Sequence, residues 1–131
     1  MGFRVPVSQQ SMFPLASLAY HNYEGLALNE EEKPRLVSDL GDKNYMILRN
    51  HGLLTIGKTA AEAFLLMYIL ERACRIQILA QSGGVELHRV AEPIIDLTAK
   101  QMSAVTVGQG AELTWPGLMR KLDRIDPTYR D

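Results

Sequence analysis

The sequence predicts one mixed α/β domain in which short strands alternate with helices. Three apolar runs are typical of strands: residues 15–20, 45–48 and 53–56. Thr59 and Glu62 form a capping box ahead of an apolar, helix-forming stretch, which the glycine at position 83 ends, so a helix is predicted at residues 60–81. Strands interleaved with helices favour a layered α/β structure over a helical bundle or a sandwich.

The first half of the chain predicts two extended segments followed by a helix. After the strand at residues 15–20 and a polar turn, residues 25–28 are predicted to form a short extended run. Asn29 and the three glutamates after it resemble a helix N-terminus, with acidic charge at the positive end of the dipole. Because Pro34 lacks an N–H, we expect the regular helix to begin later, with Pro34 in its first turn, and to end near Gly41.

The second half predicts three helices. Residues 63–70 of the first are apolar on every side, which indicates burial inside the domain or partly against another subunit. Glu92 opens a second helix that residues 105–110 end, and a third is predicted from Trp115 to the stop at Asp126, with Pro116 in its first turn.

Composition limits the functions that any motif could serve. The 131 residues carry a net charge of only −1, so no overall field attracts the chain to nucleic acid or to anionic membranes, and neither partner is expected. The longest uncharged helical stretch, residues 63–70, is too short to span a bilayer. The single cysteine, Cys74, is expected to be a buried small hydrophobe in a reducing compartment, which predicts a cytoplasmic protein.

His51 is the leading candidate for chemistry. It lies in the tetrapeptide Arg49-Asn50-His51-Gly52, which predicts a tight turn between two strands and an accessible imidazole. Histidine is the commonest acid/base group near neutral pH and a common zinc ligand, although a strand-end histidine is more often a structural turn residue. The other two histidines are expected to be a partly exposed, hydrogen-bonded His21 and a surface-loop His88, and spacing identifies no second ligand.

Two further residues are candidates for supporting roles. Glu71 shares a predicted helix face with apolar neighbours, so we expect a buried carboxylate that pairs with Arg75 one turn later or with Arg72 across an interface. Alternatively, Glu71 could accept the free ring N–H of a metal-bound histidine and so orient it. Arg49 is a candidate for binding an anionic substrate group, although arginines at strand ends more often face solvent or pair with a carboxylate.

These residues together resemble the class II aldolase/adducin family. The resemblance is carried by residues 45–57, followed by residues 62–64 and 70–74 with the family's order and spacing. Residues 20–25 resemble the adducin-like branch, and residues 115–129 suit its bacterial members. The resemblance covers nearly the whole chain.

The resemblance implies a three-layer α/β/α domain with a mixed sheet, usually assembled as a homotetramer. It also implies zinc or another divalent metal held by three histidines, two from a His-x-His motif and the third corresponding to His51. In the enzymes of the family the ion polarises a carbonyl group, and a glutamate moves the proton during reversible carbon–carbon cleavage of small hydroxy-carbonyl or sugar-phosphate substrates.

The chain departs from this pattern because it contains no His-x-His motif. We therefore expect residues 1–131 to form the C-terminal portion of the family domain, incomplete on its N-terminal side, with no residue assigned as catalytic. A lone imidazole binds zinc weakly, so metal is expected to be weakly bound or absent and the chain inactive as a lyase on its own. The alternatives are a non-catalytic oligomerisation module like the adducin head, and a metal-dependent decarboxylase or dehydratase.

Overall fold

The computed structural model describes residues 6–26, 28–106 and 109–130. The elements in these ranges are, in chain order, α1 (Gln9–Leu15), β1 (Leu18–His21), α2 (Glu32–Leu40), β2 (Tyr45–Leu48), β3 (Gly52–Thr55), α3 (Ala60–Ser82), α4 (Glu92–Thr106), α5 (Gln109–Ile125) and a 3-10 turn (Pro127–Arg130).

The three strands form one mixed sheet in the order β1-β2-β3. β1 runs parallel to β2, and β2 runs antiparallel to β3 across the tight turn between them. Ala19, Met46 and Leu54 lie side by side across the three strands, so their side chains share one face of the sheet.

Helices cover both faces of this sheet. On one face, Leu36 and Leu40 of α2 pack against Ala19 and Met46, and this contact forms the buried core cluster. Thr55 points to the opposite face, where its hydroxyl donates a 2.9 Å hydrogen bond to the carbonyl of Ala63 in α3. The predicted three-layer α/β/α arrangement with a mixed sheet is therefore confirmed.

The first predicted strand is wrong at its start, because residues 9–15 form helix α1. Ser8 and Ser11 cap this helix reciprocally: the amide of Ser11 donates to the Ser8 hydroxyl oxygen, and the amide of Ser8 donates to the Ser11 hydroxyl oxygen, both at 3.2 Å. This serine pair satisfies the first free N–H groups and starts a helix that the apolar pattern alone did not indicate.

The helices α2 and α3 agree with their predictions. Pro34 lies in the first turn of α2, which ends at Gly41 with a positive φ of 54°. The Thr59 hydroxyl accepts the amide of Glu62 at 3.1 Å and caps α3. The predicted extended run at residues 25–28 is wrong for residues 25, 26 and 28, which form no strand, and Ala27 lies outside the described residues.

The last predicted helix starts too late. α5 begins at Gln109 instead of Trp115, so Pro116 lies inside the helix. The Trp115 ring packs edge-on against Phe64 of α3, with centroids 5.6 Å apart, and this tertiary contact favours a helix that continues through the proline. The predicted end of α4 at residues 105–110 falls partly on residues 107–108, which lie outside the described ranges.

In the parts of the chain that the structure describes, no helix combines the length and the apolar character needed to cross a membrane.

Candidate functional site

Residues 49–51 form the tight turn that joins β2 to β3. Asn50 has a φ of 57°, the only positive φ of a described residue other than glycine, and asparagine tolerates this left-handed conformation better than most residues. The amide of His51 donates to the carbonyl of Leu48 at 3.1 Å and closes the turn. The predicted turn is confirmed, with β3 beginning one residue earlier than expected.

A cavity of about 180 Å³ opens between this turn, the end of β1 and the start of α2. Leu36 and Leu48 form part of its apolar wall, and Glu32 lies at its α2 side. His51, Arg49 and His21 all line it. The fold thus brings His21 next to Arg49 and His51, which lie 28 and 30 positions later in the sequence.

His21 is buried, with only 3% of its surface exposed. Its Nδ1 lies 2.8 Å from the carboxylate of Asp39 and its Nε2 lies 3.3 Å from the carboxylate of Glu32. The hydrogen bond to Asp39 is the main reason that the pKa of His21 is raised above 6.5; burial opposes this rise, while Glu32 adds to it. An imidazolium, which donates at both nitrogens, matches this pair of acceptors.

The predicted hydrogen bonding of His21 is confirmed, but its predicted partial exposure is wrong. α2 crosses the end of β1 and removes the ring from solvent, and this packing was not visible in the residues next to His21. One signal in the sequence could have indicated it. Glu32, Leu36 and Asp39 follow one another at spacings of four and three, which places two carboxylates and an apolar side chain on one helix face.

Arg49 stacks on an aromatic ring at the edge of the cavity. Its guanidinium carbon lies 5.1 Å from the centroid of the Tyr20 ring, and its backbone amide donates to the carbonyl of His21 at 2.9 Å. The residue is exposed, and no described carboxylate forms an ion pair with it. A cation that is oriented by stacking but not neutralised can attract an anionic ligand group.

His51 is exposed on the cavity wall. Its ring hydrogen-bonds to none of the residues that the structure describes, so both ring nitrogens are open to a ligand. An exposed imidazole with no hydrogen-bond partner among the described residues can coordinate a metal ion.

The metal that the family resemblance implies does not fit the donors of this chain alone. Within residues 6–26, 28–106 and 109–130, no three His, Cys, Asp or Glu side chains are grouped so that they could hold an ion. His21 shares the cavity with His51, but both of its ring nitrogens already face carboxylates. His51 is thus a single available donor, where a zinc site needs three or four.

The expected burial of Glu71 is wrong. Its side chain is exposed, whereas Leu70, Ala73 and Gln77 form the buried line of α3. Glu71 comes one residue after the buried Leu70, so its side chain points about 100° around the helix from the side that faces the core. Glu71 does not line the cavity and makes no ion pair with Arg75 among the described residues, so nothing here brings it to His51.

Two smaller predictions can be compared with the structure. Cys74 is half-buried, and burial, reinforced by the charge of Glu71, raises the pKa of its thiol. His88 lies exposed in the segment between α3 and α4, as predicted.

Comparison with known proteins identifies relatives across most of the chain. Residues 4–78 match the model of the Class II Aldolase and Adducin N-terminal domain. A Pseudomonas aeruginosa protein, provisionally named an aldolase class 2 protein, is 53% identical over 130 residues, covering 96% of this chain and 50% of the relative. Rat alpha-adducin is 33% identical over 133 residues, covering 92% of this chain and 18% of the adducin.

Two solved structures resemble the fold of this chain. An aldolase II superfamily protein from Pseudomonas syringae superposes with a TM-score of 0.89 at 46% identity, covering 97% of this chain and 51% of that one. The L-fuculose 1-phosphate aldolase from Glaciozyma antarctica has a TM-score of 0.61 at 28% identity, covering 75% of this chain and 36% of the enzyme. The chain therefore spans about half the length of its bacterial relatives.

Proposed function

The chain belongs to the class II aldolase and adducin family, and from that premise we propose that it is the C-terminal portion of a complete family domain. In this proposal His51 is one ligand of a zinc or other divalent metal ion, and the remaining ligands lie outside the 131 residues. Two facts support it: the chain spans about half of its bacterial relatives, and it contains no His-x-His motif.

The observation that carries the proposal is the contrast between His51 and its surroundings. His51 lies exposed on a cavity wall with no described hydrogen-bond partner for its ring. A histidine retained only for the turn would not need an accessible imidazole, because Asn50 and the Leu48 carbonyl already define the backbone. An accessible imidazole at a cavity is suited to join donors that another segment supplies.

Arg49 provides the substrate side of the proposal. Its guanidinium lies in the same cavity lining as His51 and is stacked on Tyr20. A fixed cation suits a carboxylate or phosphate group, so we assign the complete protein a small hydroxy-carbonyl or sugar-phosphate substrate and a lyase-type reaction. The 131 residues alone are then inactive, and their expected compartment is the cytoplasm.

The metal content of the purified chain tests the first part. After exchange into zinc-containing buffer and removal of excess ion, elemental mass spectrometry should find far less than one zinc per chain. The chain is then co-expressed with the part of the Pseudomonas aeruginosa relative that it does not match. Zinc should now be retained at one per pair and lost with His51→Ala, whereas the matched control His88→Ala should retain it.

Two outcomes would overturn the assignment of His51. The first is stoichiometric zinc in the chain alone that survives His51→Ala. The second is a co-expressed pair that holds zinc equally well with and without the His51 imidazole.

Arg49 is tested separately by titrating the chain with inorganic phosphate and following backbone amide shifts by NMR. Saturable shifts at the turn of residues 49–51 should disappear in Arg49→Gln, which removes the charge but keeps a polar side chain. Arg72→Gln, an exposed arginine on α3, is the control and should leave them unchanged. Equal shifts in both variants would exclude Arg49 as the anion-binding group.

A second candidate is a non-catalytic, self-associating module. The relationship to rat alpha-adducin and the large aromatic side chains left outside the core favour it: Phe64 is 49% exposed and Tyr68 is 55% exposed. Self-association that persists in a chelator, and in the presence of His51→Ala, would support this candidate.

A further inference from the structure

The outward side of α3 carries a regular stripe of exposed residues. We call it the α3 stripe, and its members are Phe64, Tyr68, Glu71, Arg72, Arg75, Ile78 and Leu79. Successive members lie one, three or four residues apart, and at about 100° per residue these spacings keep all of them on one helix face about four turns long. Leu79 and Ile78 are each 63% exposed, although the helix as a whole is rich in apolar residues.

The three charged residues at the centre of the stripe have no ion-pair partner in the described part of the chain. No described residue forms an ion pair with Glu71, Arg72 or Arg75. The carboxylate of Glu71 acts electrostatically on the nearby Cys74 thiol, but a thiol is no counterion. The stripe thus has apolar ends and an unneutralised charged centre.

The order of these residues is self-complementary about the point between Glu71 and Arg72. Counting outward in both directions, Glu71 matches Arg72, Tyr68 matches Arg75, and Phe64 matches Leu79. The three matches are an ion pair, a cation over an aromatic ring and an apolar contact, and each is favourable.

We infer that a second copy of this chain docks antiparallel on the α3 stripe, with a twofold axis between Glu71 and Arg72. A twofold interface repeats each contact, so it contains two Glu71–Arg72 ion pairs, two Tyr68–Arg75 contacts and two Phe64–Leu79 contacts. The apolar ends of the two stripes then cover each other. Each Glu71 faces an Arg72, and each Arg75 faces a Tyr68 ring, so every central charge meets a favourable group.

The charged residues favour this alignment of the two helices over the alignment in which one of them is shifted slightly along the other. Moving the axis onto Glu71 itself would place the two Glu71 carboxylates opposite each other, and like charges in direct opposition are unfavourable. The apolar ends supply attraction in either register, so the central charges set the alignment.

The location of the stripe leaves the cavity open. α3 contacts the sheet on the Thr55 side, whereas the cavity is bounded by α2 on the other side. The inference therefore rests on the self-association candidate and names its surface, and it does not depend on metal binding at His51.

Sedimentation velocity over a concentration series tests the interface. The 14.7 kDa chain should approach twice that mass, and Leu79→Glu should return it to the monomer mass at the same concentrations. Leu113→Glu is the matched control, because Leu113 is 78% exposed on α5 and outside the stripe, and it should leave the dimer unchanged. Circular dichroism should show equal helix content in all three.

Charge exchange tests the register. Glu71→Arg and Arg72→Glu, made singly, should each weaken the dimer by about tenfold, because each creates two like-charge contacts. The double variant E71R/R72E keeps the net charge and should recover to within about threefold of the original affinity. Failure of the double variant to recover, or recovery when Arg75→Glu replaces Arg72→Glu, would overturn this register.

Two further outcomes distinguish dimerisation through the α3 stripe from self-association through another surface. A dimer that persists with Leu79→Glu would overturn the α3 stripe as the interface while leaving the self-association candidate in place. A chain that stays monomeric at the highest concentrations would overturn both.

Discussion

His21 and His51 lie on the same cavity but have opposite environments. His21 ends β1, is covered by α2, and has both ring nitrogens facing carboxylates. His51 follows β2 by three residues, is exposed, and has no described partner for its ring. The comparison shows that neighbouring positions at one sheet edge can hold a buried, carboxylate-paired histidine and an available donor, depending on which of them a helix covers.

The difference has a physical cause in the connections after each strand. The segment after β1 leads into α2, whose Leu36 and Leu40 pack back on the sheet and bring Glu32 and Asp39 over His21. The connection after β2 is only three residues long and returns directly into β3, so nothing from it can fold back over His51. Burial then favours pairing at His21, while solvent access leaves His51 open.

Among the substitutions considered, His21→Ala should cause the largest loss of stability. This change leaves Glu32 and Asp39 facing each other without their shared partner, and we expect a loss of about 2–3 kcal/mol in the free energy of unfolding. Urea denaturation followed by circular dichroism measures it. His88→Ala, in an exposed loop, is the control and should stay near the original value. An equal loss in both variants would contradict a special role for His21.

The next effect is a pH dependence of the stability difference between the original chain and His21→Gln. Its folded pKa is raised above 6.5, so its stabilising contribution is complete below the unfolded value and is lost as the pH rises through the folded pKa. The original chain should therefore lose its stability advantage over His21→Gln as the pH increases from 6 to 9. Urea midpoints at several pH values test this, and a constant difference would show that the ring is not charged in the fold.

Asn50→Ala tests whether the turn under His51 is under strain. The left-handed φ costs alanine roughly 1 kcal/mol more than asparagine, because only the asparagine side chain can hydrogen-bond to the local backbone. We therefore expect Asn50→Ala to lower the free energy of unfolding by about 1 kcal/mol. Asn50→Gly should change stability by only a few tenths of a kcal/mol, since glycine adopts this φ freely. Thermal melts compare the two. A larger loss for glycine than for alanine would exclude this explanation.

The smallest effect is expected from His51→Ala. Because the ring is exposed and unpaired among the described residues, removing it should change the free energy of unfolding by less than about 0.5 kcal/mol. The melting temperature should stay close to that of the original chain. A large decrease would mean that the imidazole packs against the fold, and the contrast with His21 would then fail.

Much of the local structure could be predicted because its causes lie within a few residues. Thr59 caps α3, Pro34 falls in the first turn of α2, and residues 49–51 form the turn between β2 and β3. Each depends on backbone preferences or on side-chain contacts to the next turn, which are visible in a short window of sequence.

The errors have long-range causes. The α5 start depends on Trp115 packing against Phe64, which is 51 positions earlier, and the exposure of Glu71 depends on which line of α3 meets the core. At the candidate site, the accessibility of His51 followed from its turn, but the burial of His21 required the position of α2.

The sequence by itself determined where β2 turns into β3, where α2 and α3 lie, and which single imidazole is presented at the end of β2. Only the tertiary structure decided that His21 is buried with both ring nitrogens facing carboxylates, that Arg49 shares a cavity with both histidines, and that Glu71 faces outward. The reason is physical: caps and turns are satisfied by neighbouring backbone groups, whereas burial and charge pairing depend on surfaces that meet only when distant segments pack.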